Sequence, residues 1–399
     1  MSGAAAGAGF VLTGATGFLG SHPMAALVRR GDRVLVFGRP CKGSSLQKRV
    51  AGLLDWFGVQ SGPGQVEAAE VDLLKPWLGL DPARYDELCS RGSRIVHLAS
   101  DTRFSRANLP QSLDTNVHSL KEIIRFAQKS RAPFFHHVST AYVGAAGRAS
   151  CPEEPAATGD FANIYEETKA RAEAEVAARC GESGVAYSIL RPSIVYGDAR
   201  TGRANSFTAL YHHVKALSLI RDIYLGDLLS QGGARSRACG IRLDAAGVLH
   251  LPLRIFLPQR GSVNLIPVDY FVGAALQVME KARPGCIYHL TSDTPSNMEE
   301  LASYCGTFLN LQGIQIIYGD PPGGWLPNPP EALFHKFIEP YRPYLSDTRN
   351  FERRNTDAAT AGQLPPRLSY QVFQRCMEYA ARVNWGSEAQ RNGSSLPVR

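Results

Sequence analysis

Phe10-Val11-Leu12-Thr13-Gly14-Ala15-Thr16-Gly17-Phe18-Leu19-Gly20 is the stretch on which the fold turns. Four residues with strand character run into a turn carrying glycine at 14, 17 and 20. From Phe18 to Arg30 the apolar residues Leu19, Met24, Leu27 and Val28 recur at helical spacing. A strand, a glycine turn and a helix in that order suit a dinucleotide pyrophosphate. Glycine lets the backbone approach the phosphates, and the amino end of the helix favours their charge.

The pattern continues outward from this stretch. Arg33 to Phe37, Val66 to Val71, Arg94 to Leu98, Pro133 to Val138 and Val185 to Leu190 read as further strands. Helices are expected over Leu113 to Ser130 and Tyr165 to Ala178. Strands alternating with helices predict an α/β fold, a Rossmann-type doubly wound parallel sheet covered on both faces. The second half loses this rhythm. Ser206 to Ile220 reads as a helix, Ser230 to Gly240 as a loop, and Val248 to Leu257 as a leucine-rich segment of open role. A strand over Val263 to Pro267, a helix over Val268 to Lys281 and a strand over Cys286 to Leu290 return to the core. A helix over Met298 to Leu309 and mostly helical chain from Glu331 to Asn392 follow. The expected organisation is a loose tail over 1–9, a nucleotide-binding core over 10–205, and a substrate-region helix with lid or insertion over 206–262. Core elements return over 263–292, and a smaller, mostly helical substrate-binding region spans 293–399.

Composition narrows the function. The 399 residues are 44% hydrophobic, with a formal charge of +7 that is spread out rather than blocked. No dense Lys/Arg run is present, so nucleic acid is not an expected partner, whereas an anionic nucleotide or thioester is. The eight cysteines form no CxxC pair and show no metal-ligand spacing, so no metal is expected and the thiols suit a reducing, cytoplasmic setting. No uncharged apolar run is long enough for a membrane span. The start of the chain does not read as a signal peptide.

At the end of the second strand Arg39 stands where a site for NAD usually offers a carboxylate, and Lys42 comes soon after. A guanidinium there grips a 2'-phosphate, which predicts NADP (NADPH) over NAD. Asp72 and Leu73 are expected against the adenine. Ala99 and Ser100 are expected along the middle of the dinucleotide, and Pro192 and Ser193 beside the nicotinamide. Tyr165 and Lys169, one helical turn apart, are expected to supply a proton and to hold the nicotinamide ribose. Ser139 and Thr140, at the carboxyl edge of the fifth strand, are candidate donors to a carbonyl oxygen, and Asn116 is a candidate for holding a relay water. Tyr142, His137 and His97 are expected to be packing residues.

These residues closely resemble the extended short-chain dehydrogenase/reductase superfamily over roughly Gly9 to Leu290. Gly14 to Gly20 matches its phosphate turn, Thr140 its catalytic hydroxyl, Tyr165 and Lys169 its Tyr/Lys pair, and Asn116 its helix asparagine. Within it, the chain looks most like fatty acyl reductases and terminal thioester reductase domains. The features are Pro76 to Leu80, Ser139 to Val143, Arg191 to Asp198 followed by Thr201-Gly202, and Tyr344 to Asp347 with Phe351 and Asn355. The resemblance implies NADPH-dependent reduction of an acyl thioester, on coenzyme A or a carrier protein supplied in trans, to an aldehyde and onward to an alcohol. It also allows for a homodimer. A dehydrogenase of sterol-like or small carbonyl compounds, a nucleotide-sugar epimerase or dehydratase, and a non-enzymatic NADP-sensing scaffold are the alternatives. Leu251 to Leu257 admits either a peripheral membrane contact or a buried flap over an acyl tunnel.

Overall fold

The computed structural model describes residues 9–41, 43–144, 150–156, 159 and 161–386. Of the expected tail over 1–9, residues 1–8 lie outside them, as do Lys42 and the chain beyond 386, while Gly9 already belongs to the first strand. Seven parallel strands form the core sheet, in the order Cys286–Leu290, Tyr187–Pro192, Phe135–Val138, Arg94–His97, Gly9–Thr13, Arg33–Gly38 and Val66–Glu70. The direction of winding reverses between Gly9–Thr13 and Arg94–His97, and a crevice at the carboxyl ends of such strands is where this architecture takes ligands. The strands are short and rich in β-branched and aromatic residues, and their side chains pack into clusters on both faces of the sheet. Helix ends carry their own signals. Asn163 caps Ile164–Ser183 by accepting from the Glu166 amide at 3.1 Å, and Gly184 ends it in the left-handed region.

Several expectations are corrected. The helix expected over Leu113 to Ser130 is interrupted. An α-turn over Leu109–Leu113 passes into a π-helical turn over Asp114–His118, and regular helix resumes only at Leu120–Lys129. The helix expected from Ser206 to Ile220 instead spans Leu210–Ser230, because Ala209 holds φ 49° and ψ −113° and helical geometry starts after it. A short helix, Ala234–Ala238, occupies part of the expected loop. Two further helices, Leu46–Trp56 and Pro82–Cys89, were not anticipated from the sequence pattern.

The leucine-rich segment is the strand Leu249–Leu257, parallel to Leu311–Tyr318, which was also unanticipated, and antiparallel to Arg242–Leu243. Leu249, Leu251, Leu253, Ile255, Phe256 and Leu257 are all buried. All of these but Phe256, which meets the Trp325 ring at 4.8 Å, share a second core with Leu210–Ser230, Met298–Leu309, Pro329–Ile338 and Tyr370–Arg382. The leucine and isoleucine side chains that suggested a membrane contact are thus part of that core. Among the described residues no helix is long and apolar enough to cross a membrane.

Candidate active site

The glycine turn shows why each glycine is there. Gly14 has φ 70°, and a Cβ on it would fall 2.5 Å from the Ala99 amide nitrogen. A Cβ on Gly20 would fall 2.3 Å from the Gly14 carbonyl oxygen. Turn, helix and the end of the fourth strand are therefore packed backbone to backbone. Thr13 Oγ1 ties them further, 2.9 Å from His97 Nδ1 and accepting from the Ala99 amide at 3.2 Å. Gly17 caps Phe18–Arg30 without a side chain, and the first turn holds no carboxylate. The uncapped amides of Phe18, Leu19 and Gly20 form an anion-binding helix start.

From this turn a cleft runs along the carboxyl ends of the strands. Gly14, Thr16, Gly17, Arg39, Asp72, Leu73, Ala99 and Ser100 line it, as the sequence predicts. Arg49, which the sequence reading missed, lines it too. It projects from the unanticipated helix Leu46–Trp56, donates from Nη2 to the Arg39 carbonyl at 2.5 Å, and keeps a buried Nε without a described partner. Two guanidinium-bearing residues thus meet at the end of the second strand, where no carboxylate follows Gly38 in sequence. The residues fit a dinucleotide: a glycine cradle, a bare helix start, and cations at the adenosine end.

Tyr165 and Lys169 project from Ile164–Ser183. The Thr140 hydroxyl lies beside the Tyr165 phenol. Burial pushes that phenol up to about 12, with Thr140 pulling it down and Glu166 adding to the rise. Lys169 does not figure among the groups acting on it. Its buried ammonium donates instead to the Val138 carbonyl at 2.6 Å, and burial lowers it to about 8 against the opposing pull of Glu173. Ser139 and Ser193 are buried, and neither hydroxyl has a described partner. Thr140 accepts from the Tyr142 amide at 3.3 Å, capping the turn Ala141–Val143.

Asn116 lies in the π-helical turn. Its Oδ1 accepts from the Asp101 amide at 2.7 Å and Ser100 Oγ at 3.1 Å. Its Nδ2 donates to the Asp101 carbonyl and to Thr168 Oγ1, both at 2.9 Å. All four of its hydrogen-bonding positions are taken by protein, so it clamps the cleft wall to the Tyr165 helix; a relay water would need one of these released. His97 and His137 stack at 5.6 Å in the sheet interior, and burial holds His97 down at about 3.

The far chain completes the site. The Arg349 side chain, 4% exposed, pairs with Asp347 at 3.0 Å and donates to the Tyr142 and Gly144 carbonyls at 3.1 and 2.7 Å. Tyr344 accepts from Asn163 Nδ2 at 2.7 Å at the start of the Tyr165 helix. Phe104, from the loop after the fourth strand, lies 6.2 Å from the Tyr165 ring, 5.9 Å from Tyr344 and 5.3 Å from Tyr341. Tyr341, Tyr344 and Ile194 also line a second cavity, walled almost wholly by apolar side chains of the second core. Phe104, Tyr341, Tyr344 and Arg349 escaped the sequence reading as site residues, because nothing local distinguishes them. Only the phrase at 344–347 hinted at this segment.

Comparison with known proteins agrees with this arrangement. The NAD-binding family model described as "Male sterility protein" matches residues 12–275. The nonribosomal peptide synthetase asaC of Aspergillus flavus is 26% identical over 300 residues, 71% of this chain and 26% of that protein. Fatty acyl-CoA reductase 2 of Bos taurus is 27% identical over 226 residues, 47% of this chain and 43% of that one. The chain therefore spans less than half the length of these relatives. The solved terminal R domain from the myxalamid PKS-NRPS pathway superposes with a TM-score of 0.73 at 21% identity, covering 96% of this chain and 92% of that one. A thiolation-reductase di-domain from an archaeal nonribosomal peptide synthetase gives 0.65 at 15% identity, covering 95% and 76%. These likenesses show the fold, an NAD(P)-binding Rossmann sheet with a smaller, largely helical C-terminal region. The chain belongs to the NAD-binding Male sterility protein family, among the extended short-chain dehydrogenases/reductases.

Proposed function

We propose that this chain reduces an acyl thioester with NADPH, releasing an aldehyde and a thiol. The observation that carries the reading is the apolar cavity, which shares Tyr341 and Tyr344 with the aromatic wall beside Tyr165. An acyl chain can be buried there, while a diphosphate would find almost no polar partner. The thioester comes from coenzyme A or a carrier protein in trans, as the names of the reductase-like relatives suggest.

The cleft would take the dinucleotide, its pyrophosphate at the Phe18 helix start and its 2'-phosphate between Arg39 and Arg49, which supports NADPH over NADH. Bound there, it would supply the hydride. The chain's own residues act on the substrate oxygen and on protons. Thr140 and the Tyr165 phenol hold the thioester oxygen and stabilise the charge that develops on it. Burial keeps the phenol protonated near neutrality, so Tyr165 is the acid that completes the tetrahedral hemithioacetal. Its collapse breaks the C–S bond, returns the proton through Tyr165 and frees the thiol. The buried Lys169 ammonium, held on the Val138 carbonyl, offers a hand-hold for a ribose hydroxyl. Ser139 and Ser193, whose buried hydroxyls lack partners among the described residues, are positioned for further contacts to ligand.

The test is to mix the protein with NADPH and a panel of acyl-CoA and carrier-bound thioesters, following loss of reduced cofactor and appearance of aldehyde. Turnover of apolar acyl thioesters is expected. Activity confined to the oxidation of free alcohols would defeat the reading.

A further inference from the structure

The apolar cavity has one conspicuous interruption, whose meaning rests on the acyl-thioester reading and deepens it. His213, in the first turn of Leu210–Ser230, lies on the cavity wall among Leu210, Val214 and Leu217. Its Nε2 is shut away from solvent and has no partner among the described residues.

The turn that carries the ring starts at a strained residue. Ala209, at φ 49° and ψ −113°, occupies backbone space that side-chain-bearing residues rarely enter, and such outliers gather at functional sites. In that conformation its amide donates to the Tyr341 hydroxyl at 3.4 Å, and its carbonyl accepts from the His212 and His213 backbone amides at 3.0 and 3.4 Å. Burial keeps the imidazole neutral at ordinary pH, lowering it to about 4. Nε2 is therefore a polar nitrogen without a hydrogen bond, enclosed by hydrocarbon. The neighbouring His212 differs: its Nε2 meets the Phe337 carbonyl at 3.2 Å.

We propose that His213 is a specificity residue that forms a hydrogen bond with a hydroxyl or an amide on the acyl chain, remote from the thioester carbonyl. A hydroxyl or an amide can both donate and accept, so either serves Nε2. A site built to bond such a group discriminates sharply against an analogue lacking it, because the protein atom is then left unpaired. The aromatic wall fixes the position. Tyr341 is edge-on to His213 at 5.2 Å and to Phe104 at 5.3 Å, and Phe104 leads to Tyr165 at 6.2 Å. Three ring contacts separate the reacting carbonyl from Nε2, which places the polar group several carbons along the chain.

Calorimetric binding on the full chain tests this without turnover. The ligands are dodecanoyl-CoA, its mid-chain and terminal hydroxy isomers, and an N-acyl-aminoacyl-CoA of matched length, whose arms separate hydroxyl from amide groups. At least one hydroxyl- or amide-bearing ligand is expected to bind about tenfold more tightly than dodecanoyl-CoA. That ratio should fall to about one in His213→Phe and recover in part in His213→Gln, which restores a hydrogen-bonding group. Dodecanoyl-CoA binding as tightly as every hydroxyl- or amide-bearing counterpart, or a preference that survives His213→Phe, would overturn the inference while leaving the acyl reading intact. Failure of all of these ligands to bind, with no NADPH-dependent turnover of dodecanoyl-CoA, would overturn the acyl reading and this inference with it.

Discussion

The dinucleotide cleft and the apolar cavity are built in opposite ways. The cleft is open, polar and assembled from turns that each follow a strand of one sheet, so its chemistry resides in local phrases such as Thr13 to Gly20 and Gly38-Arg39. The cavity is hydrocarbon-lined and assembled from Ile194, Leu210–Ser230, Leu249–Leu257, Met298–Leu309, Leu311–Tyr318, Pro329–Ile338 and Tyr341 to Leu345. Backbone amides and fixed charges need particular residues at particular turns. Apolar enclosure needs only side chains of suitable volume, which many sequences supply. The half that binds a shared cofactor is thus written in motifs, and the half that selects a substrate is written in packing.

If that division holds, damage to the two regions should separate cleanly. The largest effect should come from the phenol: Tyr165→Phe should lower the rate of reduction by roughly 10²–10⁴-fold while cofactor affinity, measured by fluorescence titration, stays within a few-fold. Retained turnover would remove the phenol from the chemistry. Next is the turn itself. Gly14→Val places a Cβ against the Ala99 backbone and forces positive φ on a branched residue, at a cost of roughly 1–3 kcal/mol or more in stability. It should weaken both cofactors alike, with calorimetry and thermal melting as the readouts.

At the adenosine end, Arg49→Ala should weaken NADPH by about 10- to 100-fold, the worth of a charged hydrogen bond, and NADH far less. Equal losses would refute a phosphate role for Arg49, and Arg39→Asp offers the same comparison. On the cavity side, Leu217→Phe adds volume to the wall and should shift preference toward shorter acyl chains with little change in cofactor affinity. Its overpacking cost is typically about 1–3 kcal/mol.

The smallest effect concerns pH. His97 and His136 are held near 3 in the folded protein by burial, against 6.5 when unfolded. Above 6.5 both states are neutral and the histidines contribute no pH dependence. As pH falls from 6.5 toward 3 the unfolded chain takes up protons that the folded chain refuses, so stability declines. Urea midpoints between pH 7 and 5 should show this slope, and His136→Gln should flatten it.

The same division governs how much of the molecule was legible in its sequence. The helices Phe18–Arg30, Val268–Lys281 and Met298–Leu309 fall at their expected bounds, because apolar spacing and end signals act within a few residues. Leu311–Tyr318 was not legible as a strand, since its place depends on Leu249–Leu257, more than fifty positions away. The π-helical break at Asp114–His118 leaves no mark in apolar spacing, and it decides which groups Asn116 holds. Likewise Arg49 gains meaning only once its helix folds against the end of the second strand.

The sequence by itself therefore determined the parallel nucleotide-binding sheet, the glycine turn, and the candidate residues Thr140, Tyr165 and Lys169, because each depends on neighbours close in the chain. Tertiary structure alone decided that Lys169 reaches the Val138 carbonyl rather than acting on the phenol, that Arg349 and Tyr344 brace the site from two hundred residues away, and that an apolar cavity adjoins its aromatic wall. Those outcomes are set by burial and by distant surfaces meeting, and burial is a property of the folded chain that no short stretch carries.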